Sequence, residues 1–171
     1  MIQIYHGNGK GKTTAAVGQV IRASGSGFKV IFSSFLKDFS SGEIAILNKL
    51  ENVEVFDKYK VENFIFTMNE SEKAATKKQM QALFDEVKLK VINEKFTMVV
   101  FDEILDVLGL GWLDEDELIE FLTSLDENVE IVLTGRNPSD ALCEVSDYIT
   151  QMKCEKHPFD AGKAARKGIE F

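Results

Sequence analysis

A short apolar run, Met1 to Tyr5, leads directly into the stretch HGNGKGKTT, and a helical pattern begins at once after it. A strand that turns through closely spaced glycines into a helix opening on Gly-Lys-Thr is the context required of a nucleotide phosphate loop. Gly7, Gly9 and Gly11 let the backbone turn without Cβ clashes and direct N–H groups inward, forming an anion nest. The helix starting near Lys12 adds its partial positive charge. In such a loop Lys12 reaches the terminal phosphates and the Thr13 hydroxyl ligates Mg²⁺. One position departs from the general pattern: His6 stands where the first glycine is usual.

The rest of the chain alternates in period. Strands are predicted at residues 1–5, 29–35, 52–56, 97–103, 129–135 and 146–152, and helices at 13–23, 69–93, 114–125 and 139–145. Met80, Leu83, Phe84, Val87 and Val91 fall on one face of the long helix, as a core stripe. Strands separated by helices imply βαβ crossovers, and continuous apolar runs such as MVVF and IVL suit strands buried on both faces. The fold class is therefore α/β, a mostly parallel sheet covered by helices on both sides. The whole of 1–171 reads as a single domain, with an irregular tail from 153 to 171.

The second half of a nucleotide site belongs at the carboxyl end of a neighbouring strand. MVVFDE supplies Asp102 and Glu103 there, one of which is expected to hold Mg²⁺ directly or through water. With Lys12, the metal would neutralise charge on a triphosphate. These residues point to a bound nucleoside triphosphate and leave the reaction open among a kinase, an ATPase, an alkyl transfer and a non-catalytic binding module. The formal net charge of −8 argues against nucleic acid as a partner. No stretch approaches the roughly 20 apolar residues of a membrane span, and no export leader is visible. Cys143 and Cys154 form neither a metal motif nor a disulfide framework, so a reduced cytoplasm is expected.

Four further stretches narrow the choice: GNGKGKTTAAVGQVIRASGSGFKV, VVFDEI, LTGRNPSDAL and KHPFDAGKAARKGIEF. Together, and in this order, they resemble the ATP:corrinoid adenosyltransferases of the CobA/CobO/BtuR type. The resemblance implies a RecA-like P-loop NTPase fold, a three-layer sandwich, and a homodimer. It implies transfer of the 5′-deoxyadenosyl group of MgATP to the cobalt of a reduced corrinoid, with release of tripolyphosphate. It also accounts for His6, because the family lacks the usual first glycine.

By position, the resemblance assigns ATP to Gly7, Asn8, Gly9, Lys10, Gly11, Lys12, Thr13 and Thr14, and Mg²⁺ to Thr13 and Glu103. Lys12, Thr13 and Glu103 form the catalytic set. Arg136 is a phosphate or corrin side-chain contact, or else a surface charge. Phe64 and Phe66 match the aromatics that crowd the lower cobalt face, or else are core. The KHPF stretch lies near the nucleotide in the family, which brings in Lys156 and His157. His6 is expected to serve loop entry, His157 to order the tail, and Trp112 to pack at a helix entrance. A flavodoxin-like reductant is the family's electron donor. Departures are Ser34 and Asp38 in SFLKD, where the family has glutamine and glycine around the shared Phe35 and Lys37, and phenylalanine at 66 in place of tryptophan. Longer members carry an N-terminal helix over the site, so here the corrinoid site is expected to be more open or closed by another segment.

Overall fold

The computed structural model describes residues 1–37, 41–56, 58–61 and 65–170. Its strands are β1 (Ile2–His6), β2 (Val30–Ser34), β3 (Val53–Phe56), β4 (Met98–Asp102), β5 (Glu130–Gly135) and β6 (Tyr148–Gln151). They form one sheet in the order β3-β2-β4-β5-β1-β6, and every pairing among them is parallel. The expectation of a mostly parallel sheet thus becomes a wholly parallel one among the described residues. One strand, β5, separates the phosphate-loop strand β1 from the acidic strand β4.

Period-two alternation sends neighbouring side chains of each strand to opposite faces, and two cores result. On one face Ile4, Ile31, Val99, Phe101, Ile131 and Leu133 pack against α3 (Glu70–Asn93), α4 (Ile104–Gly109), α5 (Glu115–Ser124) and α6 (Asp140–Glu144). On the other, Val30, Phe32, Met98, Val100 and Val132 meet α1 (Lys12–Gly25) and α2 (Gly42–Leu47). Ala16, Val20 and Ala23 recur at helical spacing along α1, which is why its small-residue face lies against the sheet. This is the three-layer sandwich.

Local chemistry sets the helix ends. Asn69 and Glu72 form a reciprocal capping box, with Glu72 N donating to Asn69 Oδ1 at 2.9 Å and Asn69 N to Glu72 Oε2 at 2.7 Å, an arrangement worth about 1 kcal/mol. The Met80–Phe84–Val87 stripe is core, as its spacing predicts. Trp112 is buried in the same cluster, its N–H held by the Val107 carbonyl at 3.1 Å. Phe101 sits among three other rings, with centroids 6.1 Å from Phe35, 6.0 Å from Phe84 and 6.3 Å from Phe121. That cluster braces the end of β4 from which the acidic pair projects. Two short helices, α2 and α4, were not foreseen, and neither is long enough to display a helical period. No helix among the described residues is long and apolar enough to cross a membrane.

Replacing Phe84 by alanine should lower the unfolding free energy by about 3–5 kcal/mol. The same change at the half-exposed Ile21 of α1 should stay within about 0.5 kcal/mol. Urea titration of both variants checks the contrast.

Candidate functional site

The carboxyl ends of β1, β2, β4 and β5 converge on one carboxylate. Asp102 is fully buried, and four donors surround it. Thr13 Oγ1 and Thr134 Oγ1 reach Oδ1 at 2.9 and 2.6 Å, while Ser34 Oγ and Lys37 Nζ reach Oδ2 at 3.0 and 2.6 Å. A carboxylate so surrounded has little capacity left for a metal. Glu103 differs. Its side chain keeps 32% exposure, with Oε1 3.6 Å from Lys37 Nζ. Burial pushes its carboxyl up to about 7, against the pull of Lys37. Of the acidic pair, Glu103 is therefore the one with coordination to spare, and Asp102 orients Thr13.

Backbone strain aims the site. Among the described residues, only Leu36 and Glu103 are non-glycine positions with positive φ, at 55° and 65°. Each follows the end of a strand, β2 or β4. The turn at Leu36 brings Lys37 back over Asp102, and the turn at Glu103 ends the strand so that α4 can start. Such conformations cost on the order of 1–3 kcal/mol and gather at functional sites.

The phosphate loop is held from outside by its neighbours. The Gly7 N–H donates to the carbonyls of Gly135 and Arg136 at 3.2 and 3.0 Å, and the Gly9 N–H to Met152 at 2.7 Å. A Cβ at Gly7 or Gly9 would stand 2.5 or 2.6 Å from the Met152 carbonyl oxygen, so the segment leaving β6 requires glycine at both. This differs from the inward nest read from the sequence: two of its three glycine amides are engaged with the protein. The start of α1 stays available to an anion. Gly11, at φ 118°, caps that helix without a side chain, and the first helical bond runs from Ala15 N to the Gly11 carbonyl. The amides of Lys12, Thr13 and Thr14 precede that bond, as the opening of a helix leaves them. Lys12 Nζ folds back on the Gly9 carbonyl at 2.9 Å. Burial lowers its pKa, an effect opposed by Asp106.

A cation fits this donor set. Thr13 and Glu103 offer one hydroxyl and one carboxylate, the sparse protein contribution Mg²⁺ accepts when phosphates and water complete its shell. No group of three His, Cys, Asp or Glu among the described residues is arranged as a metal site by itself.

The family model for ATP:corrinoid adenosyltransferase BtuR/CobO/CobP matches residues 1–171. The chain belongs to this family. Relatives include the corrinoid adenosyltransferases of Sinorhizobium sp., 31% identical over all of this chain and 80% of that protein, and of Pseudomonas aeruginosa, 31% identical with 83% of that protein covered. The corrinoid adenosyltransferase CobA of Salmonella typhimurium is 30% identical, again over the whole chain and 85% of the relative.

Other residues singled out in the sequence fall into place around this centre. His6 Nδ1 lies 3.2 Å from the Arg136 carbonyl, beside the loop entry. Arg136 is 71% exposed and faces Asp106 at 3.7 Å. Phe66 is 84% exposed, which removes the core alternative for that ring. Phe64 and Asp38 lie outside the described residues. His157 Nδ1 accepts from the Phe159 N–H at 3.2 Å, ordering a turn of the tail.

Sequence reasoning passed over Thr134 and gave Ser34 and Lys37 no role, although all three hold Asp102. The resemblance brought the KHPF stretch near the nucleotide, but the particular contacts by which the tail returns to the loop were not read from the sequence. Lys10 Nζ donates to the Ile169 carbonyl at 2.6 Å and lies 3.4 Å from Glu170, while the Cys154 N–H donates to Asn8 Oδ1 at 3.2 Å. The surplus of basic residues in that tail, beside an anion-binding loop in an acidic protein, was the available signal.

Because the folded pKa of Glu103 lies above its ordinary 4.5, the folded state holds the extra proton between those values and loses stability as pH rises through them. Glu103→Gln should thus melt with the wild type below about pH 4.5 and above it in temperature at pH 8. The rise should be several degrees, because a carboxyl raised from 4.5 to about 7 corresponds to roughly 3 kcal/mol and each kcal/mol to about 2–4 °C in a chain this long. Thermal melts at the two pH values test this.

Proposed function

We propose that this chain transfers the 5′-deoxyadenosyl group of ATP to the cobalt of a reduced corrinoid and releases tripolyphosphate. The full-length family match carries the reading, and the geometry around α1 agrees with it. Such a transfer needs a held leaving group and no activated protein nucleophile. The cobalt electron pair forms the Co–C bond to the ribose 5′ carbon as the C5′–O5′ bond breaks, and that bond's electrons depart on the polyphosphate.

The protein's work is placement and charge. Asn8, Lys10, Gly11 and Thr14 line the path of the polyphosphate, with Gly7 and Gly9 fixing the loop. Lys12 turns from the Gly9 carbonyl to the phosphates and, with the α1 N-terminus, meets the charge that builds on the leaving group. A divalent ion, Mg²⁺ in this reading, supplies Lewis-acid charge to the phosphate oxygens when held by Thr13 and Glu103. Arg136, beyond β5, serves a phosphate or a corrin side chain. Phe66, a large ring set out in solvent, suits a flat apolar macrocycle, and with Phe64 it would crowd the lower face of cobalt and exclude an axial ligand. One catalytic unit over 1–171, a homodimer, a flavodoxin-like electron donor and a cytoplasmic setting complete the proposal.

Incubation with MgATP and a chemically reduced corrinoid should give a photolabile Co–C product together with tripolyphosphate. Lys12→Ala should lower kcat/KM by about 10²–10³, the usual loss when one such stabilising group is removed. ADP as the sole nucleotide product would contradict the proposal.

A further inference from the structure

Lys37 has no part in the machinery proposed above, yet its ammonium stands at the centre of it. Nζ lies 2.6 Å from Asp102 Oδ2, 3.1 Å from Thr13 Oγ1 and 3.6 Å from Glu103 Oε1. Only 21% of the side chain is exposed, and the left-handed turn at Leu36 directs it there. The hydrogen-bond directions are forced. An ammonium only donates and a carboxylate only accepts, so the Thr13 hydroxyl gives its proton to Asp102 and turns a lone pair to Lys37. A metal ion on Thr13 would have to share that oxygen with the ammonium, using the lone pair beside it.

We propose that the Lys37 ammonium and a divalent cation are alternative occupants of this oxygen cage, so that the metal enters only together with a polyphosphate. The inference rests on the reading of Thr13 and Glu103 as cation contacts. A divalent ion at the ordinary distance of about 2.1 Å from Thr13 Oγ1 would lie within about 5 Å of an ammonium 3.1 Å from the same oxygen, so the two cations repel each other among the same three side chains. A bare ion must evict an ammonium already held by two carboxylates. A metal carried on a triphosphate brings anionic ligands of its own, and the phosphates give the displaced ammonium a new partner. Departure of Lys37 does not orphan the buried carboxylate, because Ser34, Thr134 and Thr13 still donate to Asp102. Ser34, one of the departures from the family pattern, thereby gains a purpose.

The test is Mn²⁺ binding without nucleotide, followed by the EPR signal of the free ion. Wild type should bind Mn²⁺ weakly and Lys37→Met at least about tenfold more tightly, with Mn²⁺ alone raising the melting temperature of the variant but not of wild type. Should Lys37→Met fail to fold, Lys37→Gln removes the charge while keeping a donor toward Asp102, and reads the same competition. Equal Mn²⁺ affinity of wild type and the Lys37 variant overturns the inference. Glu103→Gln separates the two levels. If it leaves Mn²⁺–ATP affinity unchanged, the reading of Glu103 as a cation contact fails. If it weakens that affinity while the Lys37 variant behaves as wild type, only the present inference fails.

Discussion

One carboxylate with four donors organises this end of the molecule. Asp102 draws in Ser34 from β2, Lys37 from the turn beyond it, Thr134 from β5 and Thr13 from the first turn of α1. Charge-assisted hydrogen bonds of this kind are the strong ones, and these span 89 residues of sequence between Thr13 and Asp102. Their joint effect is to fix the hydroxyl of Thr13 on Asp102, with the Lys37 ammonium between it and Glu103. The opening of α1 and the acidic strand are thereby brought to one address, even though a whole strand separates β1 from β4 in the sheet.

The loop itself is shaped by what lies behind it. Gly7 and Gly9 are glycine because the Met152 backbone packs on them, and Gly135 because a Cβ there would meet Leu105 at 2.5 Å and Asp106 at 2.8 Å. The amides that Gly7 and Gly9 commit to the protein are lost to a ligand, while those at the opening of α1 stay available. In the proposed reading, a polyphosphate seated there would meet Lys12 together with the Thr13 hydroxyl and Glu103. Such a grip would suit a leaving group, and the proposed transfer needs no base nearby.

Much of this was legible from residues alone. The layered α/β plan followed from alternating periods, the long helix α3 from its apolar stripe, and the acidic strand end from MVVFDE. What escaped did so for physical reasons. The helices α2 and α4 are six residues each, too short for a period to appear. Lys37 was only a letter shared with the family's motif, because its role depends on β2 lying beside β4 with Ser34 in register with Asp102. The glycine requirement at 7 and 9 depends on β6, some 145 residues away in the chain. Contacts of that range leave no local trace.

The central claim is that the loop and its cation hold a group about to leave from the 5′ carbon, and do not present a γ-phosphate for transfer. The most direct measurement uses ATP carrying ¹⁸O at the bridging 5′ oxygen, with mass analysis of both products. The account predicts that the label departs with tripolyphosphate, since the C5′–O5′ bond is the one broken. Label retained on the adenosyl product would contradict it.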